Sequence, residues 1–324
     1  MVSILMPFKD AELWITETID SILSQEYSDW ELICVDDYSE DTGSSIVEEY
    51  AHNDHRIQVH SNEMQGIIPA LQKAFFLAKG EYLTRMDADD LMPYDRLSLM
   101  VDRIKRCPSR SIVTGKVQYF TESKISDGYL KYQDWLNERI DKKDHWQHIY
   151  RECVVASPNW LGTLEEFKQD RIFDELSYPE DYNMCFQWLA TGYNIEPIGN
   201  CTLHWREHPA RTSRISEMYD QKSFFEMKLR WFVLNHPHDS ISILGAKRKG
   251  KLCASILSNL EKGFAWYDKD YERFGAGIDD HTILNSNELK GDQLLVTVYP
   301  DDRINLEEFL ISKEFEIGRN AWYV

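Results

Sequence analysis

Residues 78–90 read AKGEYLTRMDADD, which combines a helix end, a strand and an acidic turn. Gly80 stops the apolar helix pattern before it, as a C-cap glycine does. Residues 81–86 form a short apolar run that is typical of a buried strand. The run leads directly into Asp87-Ala88-Asp89-Asp90, with three carboxylates in four residues. Carboxylates this close repel one another, so they need a cation or full solvation.

The same alternation of strand and helix patterns covers the first hundred residues. Apolar runs at 2–6, 31–35 and 57–60 predict three further strands, separated by apolar residues at helical spacing. This alternation predicts a parallel sheet with helices on both faces. Ligands of such sheets bind beyond the carboxyl ends of the strands. Because Pro7, Asp36-Asp37 and the acidic turn follow three of the strands, acidic residues should gather at the ligand edge.

Composition excludes several classes of function. The 324 residues contain 36 Lys and Arg against 55 Asp and Glu, a net charge of −19. Binding to nucleic acid or to a broad anionic lipid surface needs clustered basic residues, so neither is expected. The longest run without charge, residues 182–195, is too short and too polar for a membrane span. No signal peptide is visible at Met1, which predicts a cytoplasmic protein with reduced, mostly buried cysteines.

Each candidate motif has a structural alternative. The acidic turn at 87–90 suits Mg²⁺ or Mn²⁺, or it is a solvated cap of the next helix. Asp36-Asp37 suits a ribose or base, or forms an Asx turn. Glu180-Asp181 provides a general base or caps a helix. Residues 204–208, HWREH, with Arg211 and Arg214 behind them, hold a diphosphate or metal, or form a surface loop.

Together these segments resemble the family 2 glycosyltransferases of GT-A fold. The resemblance covers residues 1–215 and is densest in the first hundred. It rests on the following stretches: VSILMPFKD (2–10), SILSQ (21–25), ELICVDDYSED (31–41), AKGEY (78–82), MDADD (86–90), Glu180-Asp181 and WREH (205–208).

The resemblance implies a role for each matching residue. It implies a nucleotide-sugar site formed by Pro7, Phe8, Lys9, Asp10, Asp37, Asp87, Ala88 and Arg206. Within that site, Asp37 would bind the base and Arg206 the diphosphate. A divalent Mn²⁺ or Mg²⁺ ion is implied at Asp89 and His208, and Asp181 matches the catalytic base of inverting members. Asp10 and Gln72 stand where the family often has Asn, and both departures bear on the identity of the donor.

The implied reaction is metal-dependent transfer of a hexose with inversion, because one base is present and no placed nucleophile can be identified. A UDP-sugar is the first choice of donor. The acceptor would be a hydroxyl of a glycan or lipid-linked precursor in surface polysaccharide synthesis, and any contact with lipid would be peripheral. Trp135, Trp146 and Trp160 are either sugar-stacking faces or core residues. The alternatives are a non-catalytic nucleotide-sugar-binding pseudoenzyme and a sugar nucleotidyltransferase. A nucleotidyltransferase would need a glycine-rich basic loop after the first strand, which residues 7–12 do not provide.

A second unit is predicted after the catalytic domain of residues 1–215 and a connecting helix or linker at 216–238. Residues 239–324 resemble a small Rossmann-like domain. Gly245 and Gly250 frame a turn between a strand and a helix, and Asp268 stands at the acidic position of a dinucleotide fingerprint. Lys247 replaces the central glycine that lets the backbone approach a pyrophosphate. A degenerate scaffold is therefore the alternative to nucleotide binding.

Overall fold

A computed structural model describes residues 1–121, 124–209, 211, 221–275, 277–298 and 303–324. The backbone forms two compact units. The first comprises Met1–His145 and Val154–Ile215, and the second comprises Trp146–Cys153 and Ser216–Val324. The helix predicted as a connecting segment groups with the second unit, while Arg214 and the first residues of that helix, 216–220, lie outside the described residues.

The first unit is built on a seven-stranded sheet of order β3-β2-β1-β4-β6-β5-β7. Strands β1 to β4 run parallel, β6 is antiparallel to both of its neighbours, and β5 and β7 are parallel to each other. The carboxyl end of β7 therefore lies at the same edge as those of β1, β2 and β4. The strands are β1 Val2–Phe8, β2 Trp30–Asp36, β3 Ile57–Ser61, β4 Tyr82–Arg85, β5 Ser111–Phe120, β6 Leu161–Thr163 and β7 Asn194–Arg206.

Burial explains why the central strands read as continuous apolar runs. All seven residues of β1 are buried, because strands inside a parallel sheet are covered on both faces. Within the described residues, the α-helices of the first unit are α1 Ile15–Leu23, α2 Gly43–Asn53, α3 Ile67–Leu77, α4 Arg96–Ile104, α5 Asp127–Lys142, α6 Leu164–Gln169 and α7 Glu180–Ala190. Alternation of strands and helices over the first hundred residues is thus as predicted.

The second unit has a five-stranded, all-parallel sheet of order β10-β9-β8-β11-β12. This order is that of the first five strands of a Rossmann sheet, so the Rossmann-like prediction for this part is supported. Its elements are α8 Gln221–Asn235, β8 Ile241–Leu244, α9 Arg248–Asn259, β9 Phe264–Asp268, β10 Ile283–Asn285, β11 Gln293–Val296, α10 Arg303–Ser312 and β12 Ala321–Tyr323.

The dinucleotide-like fingerprint of the second unit has structural roles. Gly245 has φ +110°, and a Cβ on Gly250 would lie 1.9 Å from the Gly245 carbonyl oxygen, so α9 packs directly on the turn. Asp268 Oδ2 accepts a hydrogen bond of 2.6 Å from the Ala246 amide, and its Oδ1 accepts one of 2.8 Å from the Asp270 amide. Lys247 is exposed beside this turn. Each Asp268 oxygen is thus bonded by the backbone of its own unit.

Among the described residues, no helix combines the length and the apolar character needed to cross a membrane. All six cysteines are free thiols, four of them buried.

Candidate active site

The carboxyl ends of β2, β1 and β4 form one edge of the first sheet. Pro7 and Phe8 pair with Val35 and Asp36 inside that sheet, and both side chains are buried. Lys9 and Asp10 follow in an exposed turn, where Asp10 has φ +49°. The Asp10 carboxylate accepts a 2.8 Å hydrogen bond from the Glu40 amide, so the loops after β1 and β2 are joined.

Asp37 lies just beyond β2 with only 8% of its surface exposed. Its Oδ1 accepts hydrogen bonds from Asn62 Nδ2 at 2.7 Å and from the Gly66 amide at 2.8 Å. These two bonds fix the carboxylate, and Oδ2 accepts none from the described part of the chain. Asp37 is therefore a held acceptor at the ligand edge, as a base- or ribose-binding residue would be.

The acidic turn after β4 is held by its backbone. Thr18 Oγ1 donates to the Ala88 carbonyl at 3.0 Å, and Arg206 Nε donates to the Asp89 carbonyl at 2.7 Å. The Arg206 amide also donates to Asp90 Oδ1 at 2.8 Å. Helix α1 and the end of β7 therefore hold this turn from two sides. None of these three hydrogen bonds involves the Asp89 side chain.

Electrostatics in the turn favour a cation. Burial, reinforced by repulsion from the neighbouring carboxylates, raises the pKa of Asp87 and, more strongly, that of Asp90. Asp90 Oδ2 is buried and has no hydrogen-bond partner among the described residues. A divalent cation near the turn would favour the charged forms of these groups.

Asp89 and His208 supply ligand atoms that fit such an ion. Asp89 Oδ2 lies 2.8 Å from His208 Nε2, and the imidazole stacks on Trp14 with ring centroids 3.8 Å apart. Within the described ranges, no group of three or more His, Cys, Asp or Glu side chains could hold a metal. One carboxylate and one imidazole nevertheless suffice for Mn²⁺ or Mg²⁺ when substrate phosphates and water complete the shell.

Arg206 ends β7 and is 7% exposed. Its guanidinium lies over the ring of Phe120, and Nη2 contacts Glu17 Oε2 at 2.5 Å. Residues 204–206 of the cluster thus form the end of β7, and Glu207 and His208 follow that strand. In this structure Arg206 bonds the acidic turn and α1, so its implied role on the diphosphate remains a prediction. Arg211 lies 3.5 Å from Glu207.

Asp181 occupies the first turn of α7, half-buried, and its Oδ1 accepts a 2.7 Å hydrogen bond from the Tyr182 amide. Burial raises the pKa of the Asp181 carboxyl to about 7; repulsion from Glu180 adds to the rise, and Arg85 opposes it. A carboxyl with a pKa near 7 can accept a proton at neutral pH and release it again. Of the two residues proposed at this helix start, Asp181 is the better candidate base, because Glu180 is buried in an ion pair.

Several site residues escaped the sequence analysis. Arg85 contacts both Asp87 and Glu180. In the α1 region, Thr18 contacts the acidic turn, Glu17 contacts Arg206 and Trp14 contacts His208. The sequence does contain a signal for Arg85, because this cation is the last residue of a predicted strand that leads into three carboxylates.

Among the tryptophans, Trp160 is 1% exposed and belongs to the core, and Trp146 lies in the second unit.

The sequence is similar to those of known proteins. The family model described as "Glycosyl transferase family 2" matches residues 3–166. A UDP-Glc:alpha-D-GlcNAc-diphosphoundecaprenol beta-1,3-glucosyltransferase, WfgD, of Escherichia coli is 27% identical over 242 residues, covering 72% of this chain and 85% of the relative. An uncharacterized glycosyltransferase of Methanocaldococcus jannaschii, MJ1057, is 25% identical over 241 residues, covering 73% and 81% of the two chains.

Solved structures show the same fold. The S. aureus protein TarS, residues 1–349 in complex with UDP-GlcNAc, matches with a TM-score of 0.57 and 17% identity over 80% of this chain and 71% of that one. This likeness confirms the GT-A prediction for the fold. Since the family model spans half of the sequence, the chain belongs to glycosyltransferase family 2 and is a glycosyltransferase.

Proposed function

We propose that this protein transfers a hexose from a nucleoside diphosphate sugar, with UDP as the first choice of nucleotide, to a hydroxyl group with inversion and with the help of a divalent cation. The observation that carries the proposal is the placement of a single candidate base, Asp181, on α7, which Arg85 and Glu180 link to the acidic turn. One base and one donor site suit a single displacement.

The donor would lie along the edge formed by β2, β1 and β4. Asp37, whose Oδ2 accepts no hydrogen bond from the described residues, would accept hydrogen bonds from the nucleotide base, and Pro7, Phe8, Lys9 and Asp10 would line the same pocket. Asp87, Ala88 and Arg206 would surround the sugar and the diphosphate. The UDP-GlcNAc bound to the TarS structure and the UDP-Glc in the name of WfgD support a UDP-sugar.

Asp89 and His208 would hold the cation together with diphosphate oxygens. When bound, Mn²⁺ or Mg²⁺ supplies positive charge against the negative charge that develops on the leaving β-phosphate. The chain's own contribution is to hold the two ligand atoms together, since Arg206 fixes the Asp89 backbone and Trp14 orients the His208 ring.

The Asp181 carboxylate would take the proton of the acceptor hydroxyl. The acceptor oxygen then forms a bond to the anomeric carbon from the face opposite the leaving group. The bond between that carbon and the diphosphate oxygen breaks, and the nucleoside diphosphate leaves with the electron pair. A single displacement inverts the anomeric centre, and no covalent enzyme intermediate forms.

For the acceptor, we propose a glycan or a lipid-linked precursor of a surface polysaccharide. The diphosphoundecaprenol acceptor in the name of WfgD supports the lipid-linked form. Such an acceptor would be met at the membrane surface, so contact with lipid would be peripheral.

The first experiment is calorimetric titration with UDP, GDP and their hexose conjugates, each with Mn²⁺ and with EDTA. We expect one nucleotide to bind only with metal, and Asp89→Ala to weaken that binding at least tenfold, on the order of one lost charged ligand. Asp102→Ala, which changes an exposed carboxylate on α4, serves as the matched control and should bind like the wild type.

Turnover separates the remaining alternatives. The selected donor is incubated with glycan and lipid-linked acceptors, and the anomeric configuration of the product is read by NMR. An inverted product supports the proposal, and a retained configuration overturns its mechanism. Binding without turnover by any acceptor points to the pseudoenzyme, and formation of a sugar nucleotide from a sugar phosphate points to the nucleotidyltransferase.

A further inference from the structure

Arg85 is a buried cation at the centre of the site. It ends β4, pairs with Leu5 of β1 in the sheet, and has a side chain that is 7% exposed. Its Nε donates to Asp87 Oδ1 at 2.7 Å, and its Nη1 donates to Glu180 Oε1 at 3.0 Å. One guanidinium therefore connects the acidic turn with α7.

Stability alone does not account for this arrangement. Burying charged groups costs several kcal/mol per ion, and a well-packed apolar cluster is often as stable as a buried ion pair. A planar guanidinium with fixed donors does, however, set the orientation of two carboxylates at once. The contacts of Arg85 are therefore suited to fixing the orientation of Asp87 and Glu180 relative to each other.

On one side, Arg85 orients Asp87. The Asp87 side chain is 23% exposed, so it is still open to a ligand, and its Oδ1 is held by the guanidinium. On the other side, Glu180 is the first residue of α7 and only 2% exposed. Because successive residues of a helix are about 100° apart around its axis, a fixed Glu180 side chain determines where Asp181 points.

Arg85 is itself held in place. Its carbonyl oxygen accepts a hydrogen bond of 3.2 Å from Arg96 Nη2, and Arg96 is fully buried. The backbone at the end of β4 is thus fixed by the sheet on one side and by α4 on the other. Motion of the acidic turn relative to α7 must strain or break the contacts of Arg85.

We propose that Arg85 is a positioning residue for glycosyl transfer: it holds Asp87 and the first turn of α7 in one geometry, and so sets the place of the Asp181 carboxylate relative to the donor. The inference rests on the function proposed above. Misplacement of a reacting group by about 1 Å can cost about 100-fold in rate, so a positioning residue of this kind is worth that much.

The charged groups around Asp181 make the proposal measurable. Glu180 and Asp87 oppose ionisation of Asp181, and Arg85 favours it. Loss of the Arg85 charge should therefore raise the pH at which Asp181 ionises, by about one pH unit if about 1.4 kcal/mol of interaction is lost. A general loss of folding would not raise that pH, because the free carboxyl ionises near 3.8.

The test compares Arg85→Gln, Arg85→Lys and a control, Arg139→Gln. Arg139 is a buried arginine on α5 of the same unit, 3% exposed and outside the site, and it pairs with Glu138 and Asp144. For Arg85→Gln we expect kcat to fall about 100-fold and the pH midpoint of kcat to rise. Compared with Arg85→Gln, Arg85→Lys should bring the pH midpoint closer to the wild-type value than it brings kcat. Lys keeps the positive charge but lacks the planar set of N–H donors that holds two carboxylates at once.

Arg139→Gln should keep the wild-type pH midpoint, and also the wild-type kcat per folded molecule. If Arg85→Gln shows the same midpoint and kcat per folded molecule as this control, Arg85 is merely structural and the inference is wrong. A change in donor KM alone, with kcat and the midpoint unchanged, would also overturn it, since α7 would then be placed without Arg85.

A second measurement does not depend on turnover. Carboxyl ¹³C NMR, with the Asp181 signal assigned from Asp181→Asn, gives the pKa of Asp181 directly in the wild type and in each variant. A higher pKa in Arg85→Gln, restored toward the wild-type value in Arg85→Lys, supports the inference, and an unchanged pKa overturns it. If no donor is turned over at all, the proposed function fails while this titration still decides the role of Arg85.

Discussion

Replacement of Asp181 by Asn tests the proposed base through two independent quantities, the rate and the stability. The substitution keeps the size of the side chain and removes its ability to take up a proton. Because general base catalysis contributes about 10²–10⁴-fold, we expect kcat to fall by a factor in that range. In the wild type, kcat should rise with pH around a midpoint near 7, where the Asp181 carboxyl ionises. In the variant this rise should disappear.

The same substitution should lower kcat but raise the stability of the folded protein at neutral and higher pH. The pKa of Asp181 is about 7 in the folded protein against 3.8 for the free group. Between these values the folded chain holds a proton that the unfolded chain lacks, so stability falls as pH rises and the loss is complete above pH 7. The pKa difference of about three units, at about 1.4 kcal/mol per unit, limits this loss of stability to about 4 kcal/mol. Since Asp181 is half-buried, we expect about 2 kcal/mol.

Asp181→Asn should therefore be more stable than the wild type at pH 8 and close to it at pH 4. Hydrogen exchange of α7 peptides, followed by mass spectrometry, measures this difference within one unit and needs no two-state unfolding of the whole chain. Asp102→Asn, on the exposed face of α4, is the control and should change neither rate nor stability at either pH. A near wild-type kcat in the variant would show that Asp181 is not the catalytic base, and an unchanged stability at pH 8 would show that its pKa is not raised.

Two further predictions concern the nucleotide and the second unit. Asp37→Ala removes the acceptor that the Gly66 amide contacts at 2.8 Å, so UDP affinity measured by calorimetry should fall at least tenfold, about 1.4 kcal/mol; an unchanged affinity would place the base elsewhere. Gly250→Ala puts a Cβ 1.9 Å from the Gly245 carbonyl oxygen, so hydrogen exchange should show that α9 is destabilised by about 1–3 kcal/mol. The control Gly263→Ala, where an added Cβ meets no atom within 4 Å, should lose much less. Equal effects of the two substitutions would contradict the close packing at Gly250.

Local sequence pattern was enough for the first hundred residues. There the strands are buried in a parallel sheet and read as uninterrupted apolar runs, so residues 2–6 and 31–35 predicted β1 and β2 to within three residues at either end. The acidic residues that follow such strands must meet at one edge. The positions of Asp37 and of the acidic turn could therefore be predicted without knowing any long-range contact.

Strand β7 was not predicted, because its sequence lacks that pattern. It contains Pro197 and Gly199, and its pairing with β5 shifts register around Gly115 and Lys116. A bulged strand breaks the period of two on which a strand prediction depends. The residues at its end, which bring Arg206 to the acidic turn, were consequently open to interpretation as a loop.

Arg85 illustrates a different limit. Its partner Glu180 lies 95 positions away, and no local pattern connects the two residues. Short elements are equally hard to predict: β10 has three residues and escaped detection, as did α10. What sequence reasoning missed was thus the set of contacts that fix the site, while the groups proposed for the chemistry itself were all visible as motifs.

The two units show why an acidic residue at a strand end is not by itself a site. In the second unit, both oxygens of Asp268 accept backbone amides from adjoining loops, so this carboxylate serves to close its own fold. In the first unit, both hydrogen bonds that Asp37 accepts from the described residues fall on Oδ1, and Asp89 contacts an imidazole that can itself bind a metal. Among the described residues, Asp37 therefore keeps one oxygen without a hydrogen bond, whereas each oxygen of Asp268 already accepts one. The fingerprint around Gly245 is best explained as structural for the same reason.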